Sequence, residues 1–247
     1  MARTSNRPRR SSVFHMPSAF DLFTPSKNLV LKNIWIFGPL YAVPFIFWIH
    51  EWIWAPTPGH GPAPWWHSSS NFNSGWPGSP LPTYSTFTLI GFSLFWFVIV
   101  AAVGTIVQIM SQTAQLDAST GRHLSFDKLW EVVTKMGWRL LGLYIVTGIV
   151  ILIGLILFII PGLFMIRRYL LAPYVMIDRN VSIREAMDGS AELSLKNTGA
   201  IWGVMGVMFL IAMIGIIPII GSLASFVVGS LYSVAPALRY RQLKRFN

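Results

Sequence analysis

The sequence predicts an all-α integral membrane protein, with six transmembrane helices paired as three helical hairpins and amphipathic interfacial helices on the cytoplasmic side. Three observations carry this expectation. Of the 247 residues, 53% are hydrophobic and 11% charged, and mean hydropathy is +0.56, too apolar for an ordinary soluble domain. Apolar runs long enough to cross a hydrocarbon core of roughly 30 Å recur along the chain. Lys and Arg gather in the segments between those runs, as the positive-inside bias requires. The formal charge of +10 therefore reads as topology and attraction to anionic lipid, not as nucleic-acid binding. Cysteine is absent, so no disulfide, thiol nucleophile or Cys-based metal centre is available.

Taken in order, residues 1–32 form a basic tail and surface segment, with Arg3, Arg7, Arg9 and Arg10 and a single acid, Asp21. This stretch loosely resembles a mitochondrial transit peptide; a cytoplasmic tail fits it as well, and topology favours the tail. A membrane domain over 33–240 follows. Its first span, 34–54, carries Pro39 and Pro44, which should kink it, and Trp35, Trp48, Trp52 and Trp54 near its ends, as in an interfacial aromatic belt. The loop 55–82 is rich in Pro, Gly, Ser and Trp and has no Lys or Arg, which places it on the outer face. His50, His60 and His67 lie in or near it at spacings that match no ligand motif, so no metal is expected. The second span is 85–110.

Positive charge then returns. In LSFDKLWEVVTKM, Phe126, Leu129, Trp130 and Val133 follow helical spacing while Asp127, Lys128, Glu131 and Lys135 take the other face, which predicts a separate amphipathic helix at the inner interface. The third and fourth spans, 138–160 and 162–178, meet at a turn placed at Pro161 and Gly162. A second interfacial helix opens at Ser182, with Glu185 three residues on as a capping box. The fifth and sixth spans, 199–217 and 219–238, turn at Pro218 and Gly221, and 241–247 is a basic cytoplasmic tail. The amphipathic segments open alike, LSFDK and VSIRE, and each leads into an apolar pair broken at proline, the mark of an internal repeat.

The run IIPGLFMIRRYLLAPYVMIDRNVSIREAMDGSAELSLKN resembles six-helix bacterial membrane proteins grouped with the membrane domain of glycerophosphodiester phosphodiesterases. The positions that carry the resemblance are Pro161, Gly162, Arg167 or Arg168, Glu185, Ala186, Ser190 and Leu193; it extends over about 124–244. It implies a six-helix fold in a bacterial inner membrane, and the even span count with the distribution of Lys and Arg puts both termini on the cytoplasmic side. No run here is long and polar enough for the catalytic barrel of such enzymes, so no catalytic residue and no cofactor is expected.

Arg167 and Arg168 are the basic residues that topology does not absorb. Counted from a turn at Pro161, they lie near the outer end of the fourth span, from where they can snorkel or hold a lipid phosphate in their guanidinium forks; pairing within the bundle is the structural alternative. Gly221, Ser225, Gly229 and Ser233 form a small-residue stripe suited to helix packing, within the chain or between copies. The expected function is non-catalytic: binding or organising membrane lipid, itself or another membrane protein. The alternative is a carrier of an amphiphilic or anionic substrate.

Overall fold

The computed structural model describes residues 17–54, 86–217 and 220–246. Every regular element among them is helical. After a 3₁₀ turn at Phe20–Leu22 come α1 (Phe23–Lys32), α2 (Ile34–Trp54), α3 (Thr86–Thr120), α4 (Phe126–Leu157) and α5 (Ile159–Tyr169). They are followed by α6 (Ala172–Arg179), α7 (Ile183–Lys196), α8 (Thr198–Ile214), α9 (Ile220–Tyr232) and α10 (Ala235–Phe246). Among the described residues, four helices are long and apolar enough to cross a membrane, or up to six if each of two bent pairs is one span.

Three local rules shape these elements. The first is a corner. At LVLKN (29–33) and again at LSLKN (193–197) the chain bends, by 98° between α1 and α2 and by 100° between α7 and α8. At each corner the Asn leaves helical geometry and its Nδ2 donates to the Leu carbonyl four residues back, Asn33 to Leu29 at 2.9 Å and Asn197 to Leu193 at 3.2 Å. Asn competes with the helix backbone for such bonds, and so marks a boundary. In the second amphipathic segment the corresponding residue is Met136, in TKMGW. Nothing there competes, and α4 runs through as one 32-residue helix. The separate interfacial helix expected at 126–137 is thus corrected: it is the first third of α4.

The second rule is a break. Tyr169-Leu-Leu-Ala-Pro173 separates α5 from α6, and Tyr232-Ser-Val-Ala-Pro236 separates α9 from α10. Proline cannot donate to the carbonyl four residues back, but it suits the first turn of the next helix. The expected spans 162–178 and 219–238 thus each hold two helical segments, which together, as Ile159–Arg179 and Ile220–Arg245, are long and apolar enough to cross a membrane. In α3 the related run Ser111-Gln-Thr-Ala-Gln115 puts Gln where the others have Pro, and this helix continues for 35 residues, about 52 Å at 1.5 Å per residue. The expected end of that span at 110 moves to Thr120.

The third rule is the reversal between α4 and α5. It sits at Phe158, whose backbone is extended, and not at Pro161 and Gly162, which lie inside the first turn of α5. The proline ring excludes the helical carbonyl of Leu157, which ends α4 just there. Gly162 serves close approach: a Cβ on it would lie 2.4 Å from Leu155 Cδ2 and 3.0 Å from Leu155 Cα, and one on Gly154 would lie 3.1 Å from Gly162 Cα. Pro218 falls outside the described residues, as do 1–16 and the loop 55–82. Gly221 is held against the end of α8, where a Cβ would meet the Ile214 carbonyl at 2.2 Å.

Burial divides the molecule. At one end, which we call the base, α6, α7, α10, the start of α8 and the adjoining parts of α3 and α4 enclose Leu140, Leu143, Met176, Ala186, Ile201 and Tyr240, and α1 packs beside them through Val30 against Ala118, Leu129 and Val234. At the other end, α4, α5, α8 and α9 present large apolar side chains outward, among them Ile156 at 76%, Ile160 at 70% and Ile220 at 79% exposure. Water penalises a surface of that size and lipid does not.

Candidate anionic headgroup site

Arg167 does not reach outward. It lies in the last turn of α5, 7% exposed, where Nη1 donates to Thr198 Oγ1 at 3.2 Å beside the α7–α8 corner. Its guanidinium stands 5.3 Å from the Phe164 ring and 6.0 Å from the Trp202 ring, and those rings meet edge to face at 5.7 Å. Arg168 lies 5.7 Å over Tyr169. Neither forms an ion pair among the described residues. Cation–π contacts, worth about 2 kcal/mol when desolvated, take that role. The outer-end placement is therefore corrected: the two arginines sit at the base, because α5 starts at Ile159 and stops at Tyr169.

The remaining expected residues sort by what they touch. Ser182 caps α7 by accepting from the Glu185 N–H at 3.4 Å, while the Ser182 N–H donates to Glu185 Oε2 at 3.0 Å. That backbone bond, with the Ser182 hydroxyl, holds the Glu185 carboxyl below its ordinary range. Ser190 and Ser194, on the buried face of α7, donate to the carbonyls of Arg168 at 2.7 Å and Arg167 at 3.2 Å, closing the carbonyl end that the α5–α6 break leaves open. Ser26 of α1 does the same for Leu231 at 2.7 Å near the α9–α10 break. The small-residue stripe packs within the chain. Ser225 donates to the Ile211 carbonyl at 2.7 Å, a Cβ on Gly229 would lie 3.6 Å from Ile211, and Ser233 bonds Tyr41 of α2.

A polar ladder inside the base escaped the sequence reading. Tyr144 donates to Gln112 Oε1 at 2.5 Å and Tyr174 to Gln115 Oε1 at 2.7 Å, and Gln115 donates to Ser111 at 3.1 Å. Below it, buried Asp117 receives Lys128 at 2.7 Å and Arg122 at 3.6 Å. The signal was present in SQTAQLD, polar residues at three- and four-residue spacing directly continuing an apolar run.

These anchors fix the loop between α3 and α4. Gly121 takes φ 71°, and the Arg122 N–H returns to the Asp117 carbonyl at 3.0 Å while the Gly121 N–H bonds Ala118 at 3.2 Å, the two bonds of a Schellman C-cap. Ser125 then starts α4 by accepting from the Lys128 N–H at 3.4 Å. The loop is thereby pressed against the α1–α2 corner, and the two enclose a cavity of about 480 Å³. Lys32, Asn33 and Trp35 line it from the corner, Arg122 and His123 from the loop, with Leu29, Ile36 and Leu124 supplying apolar wall. Trp35 is 86% exposed. Lys32 forms no ion pair among the described residues, whereas the other two corner-position lysines are taken, Lys135 by Glu131 at 2.5 Å and Lys196 by Glu192 at 2.8 Å.

No protein-family model, curated protein or solved structure matches the chain. The chemistry of the cavity has to speak through its own residues. Basic side chains that share a cavity with an exposed indole, where one helix turns sharply into an apolar one, can hold an anion whose attached tail is apolar.

Proposed function

We propose that this chain is a multi-pass inner-membrane protein without catalytic activity that binds and organises anionic lipid, holding the headgroup in the cavity at the α1–α2 corner. The proposal includes six spans in three hairpins, α1 and α7 lying along the cytoplasmic interface, and both termini inside. The resemblance to the six-helix bacterial proteins belongs to the same reading and rests on residues 161–193.

One observation carries it: Lys32, Arg122 and His123 line one cavity together with Trp35, at the point where α1 turns by 98° into α2. With α1 in the interface and α2 crossing, that corner lies at headgroup depth, and Trp35 lies where interfacial tryptophans concentrate. A basic side chain near an anionic surface contributes about 1 kcal/mol. Lys32→Gln and Arg122→Gln should each lower the affinity for anionic lipid about fivefold, by the same energy. The measurement is native mass spectrometry of protein released from nanodiscs of mixed phosphatidylglycerol and phosphatidylcholine. An unchanged phosphatidylglycerol fraction in the double variant would reject the site.

The second reading, a carrier for an amphiphilic anion, draws on the polar ladder of Gln112 and Gln115 within the bundle. Release of a labelled amphiphile across proteoliposomes, lost in Gln115→Leu and retained in Lys32→Gln, would favour it.

A further inference from the structure

A second cavity opens on the other side of Arg122. About 360 Å³ in volume, it lies between the ends of α3 and α6 and the second half of the basic helix α10. Arg122, Arg241, Lys244 and Arg245 line it with Asp178 and Tyr240. The carboxylate of Asp178 is already used: Lys244 reaches its Oδ2 at 2.5 Å and the Tyr240 hydroxyl donates to the same oxygen at 2.8 Å. Lys244 and Asp178 so neutralise each other, leaving three guanidinium groups. Arg241 gives Nη1 to the Ser119 carbonyl. Arg122 stands 3.6 Å from Asp117, a carboxylate held closer by Lys128 at 2.7 Å. Arg245 forms no ion pair among the described residues. Each guanidinium carries five N–H donors in a planar fork, so most of the donors around this cavity are unspent.

We propose that this cavity is a second anion site, selective for a phosphate group with free oxygens: inorganic phosphate or a phosphate monoester. Three forks from two segments far apart in sequence suit a group with several equivalent acceptor oxygens, which a carboxylate does not offer. The volume accommodates a phosphate and a small substituent, being at the lower end of ordinary ligand pockets of about 300–1,000 Å³. Asp178 tempers the affinity rather than setting the selectivity, since its charge repels any anion and its ion pair keeps Lys244 from the ligand. The site shares only Arg122 with the corner cavity. An anion bound on one side draws that guanidinium away from the other, so the two sites oppose each other.

The test uses the whole protein in nanodiscs of phosphatidylcholine alone, titrated with inorganic phosphate at low ionic strength and followed by calorimetry. A parallel arm replaces the soluble probe with discs containing phosphatidic acid, read by the ³¹P resonance of its monoester. Saturable binding is expected in at least one arm, and the responding arm identifies the source, solute or lipid. Arg241→Gln and Arg245→Gln should each weaken it about tenfold, as for loss of one charge-assisted hydrogen bond. Arg245 is exposed, so its variant leaves the packing intact. In the phosphatidylcholine discs titrated with inorganic phosphate, Lys32→Gln, which tests the corner, should leave this binding unchanged, and Asp178→Asn should tighten it. No saturable binding in either arm, or undiminished binding in the Arg241→Gln and Arg245→Gln variants, overturns the second site without touching the corner reading.

Discussion

At the residue scale, the buried arginine and the capping box make opposite kinds of contribution. Arg167 is held by shape and ring electrostatics, with Phe164 and Trp202 around the guanidinium and Thr198 on one nitrogen, while its buried Nε has no hydrogen-bond partner among the described residues. Arg167→Gln should therefore cost about 2 kcal/mol of stability, seen as earlier thermal unfolding in detergent, with co-purified anionic lipid unchanged. Arg167→Lys should not restore it, because an ammonium keeps the charge and loses the planar stack; lipid loss without destabilisation would return Arg167 to the headgroup role. Glu185 is exposed and acts through the backbone. Its folded pKa is held below the ordinary 4.5 by the Ser182 N–H, so its contribution is complete above that value and disappears as pH falls through the lowered folded pKa. Hydrogen exchange at the first turn of α7 should accelerate in that acid window. Glu185→Gln should remove the pH dependence while α7 stays folded. Ser182 and Glu185 were legible in sequence because both partners lie within one turn. The surroundings of Arg167 were not, since Thr198 and Trp202 arrive from another helix.

At the element scale, what was legible was apolar run length; what was not was where a helix stops. The apolar stretches of α2, α3, α4, α8 and α9 fall inside the expected spans, yet α3 and α4 continue through segments whose returning charge suggested loops and separate surface helices. Charge marks where a helix leaves the hydrocarbon, whereas ends are set by backbone chemistry: Asn at the corners, Ala-Pro at the breaks. The Gln112 and Gln115 ladder stayed hidden for a related reason, its tyrosines lying 32 and 59 residues away. The close approach of α4 and α5 gives the test at this scale. A Cβ at Gly162 would sit 2.4 Å from Leu155 Cδ2 and 3.0 Å from Leu155 Cα; the side chain can turn away and the backbone cannot. Gly162→Ala should separate the arms at an overpacking cost of about 1–3 kcal/mol. Spin labels at Ile153 and Met165 should report a longer, broader distance, and an unchanged distribution would mean that the reversal at Phe158 absorbs the methyl.

At the scale of the whole molecule, the two ends differ in what they ask of their surroundings, and that difference makes the proposed orientation testable. The base gathers Lys32, Arg122, Lys128, Arg139, Arg241 and Lys244 around buried polar bonds, while the opposite end exposes Ile156, Ile160 and Ile220. If the base faces the cytoplasm, the Lys- and Arg-free loop 55–82, which lies outside the described residues, must face out. A cysteine-free chain lets this be read one position at a time. Arg184 has a side chain 94% exposed on α7, so a cysteine there reports accessibility without disturbing the core. Arg184→Cys should react with a membrane-impermeant maleimide only after the cells are opened, and Ser69→Cys should react while they are intact. The reverse pattern would invert the protein and move both anion cavities to the outer face. Labelling of both positions in intact cells would require an even number of crossings between them, where the proposed arrangement has three. That result would remove one span from the proposed six and break the pairing of the central hairpin, whose two arms the Gly154–Gly162 contact holds side by side.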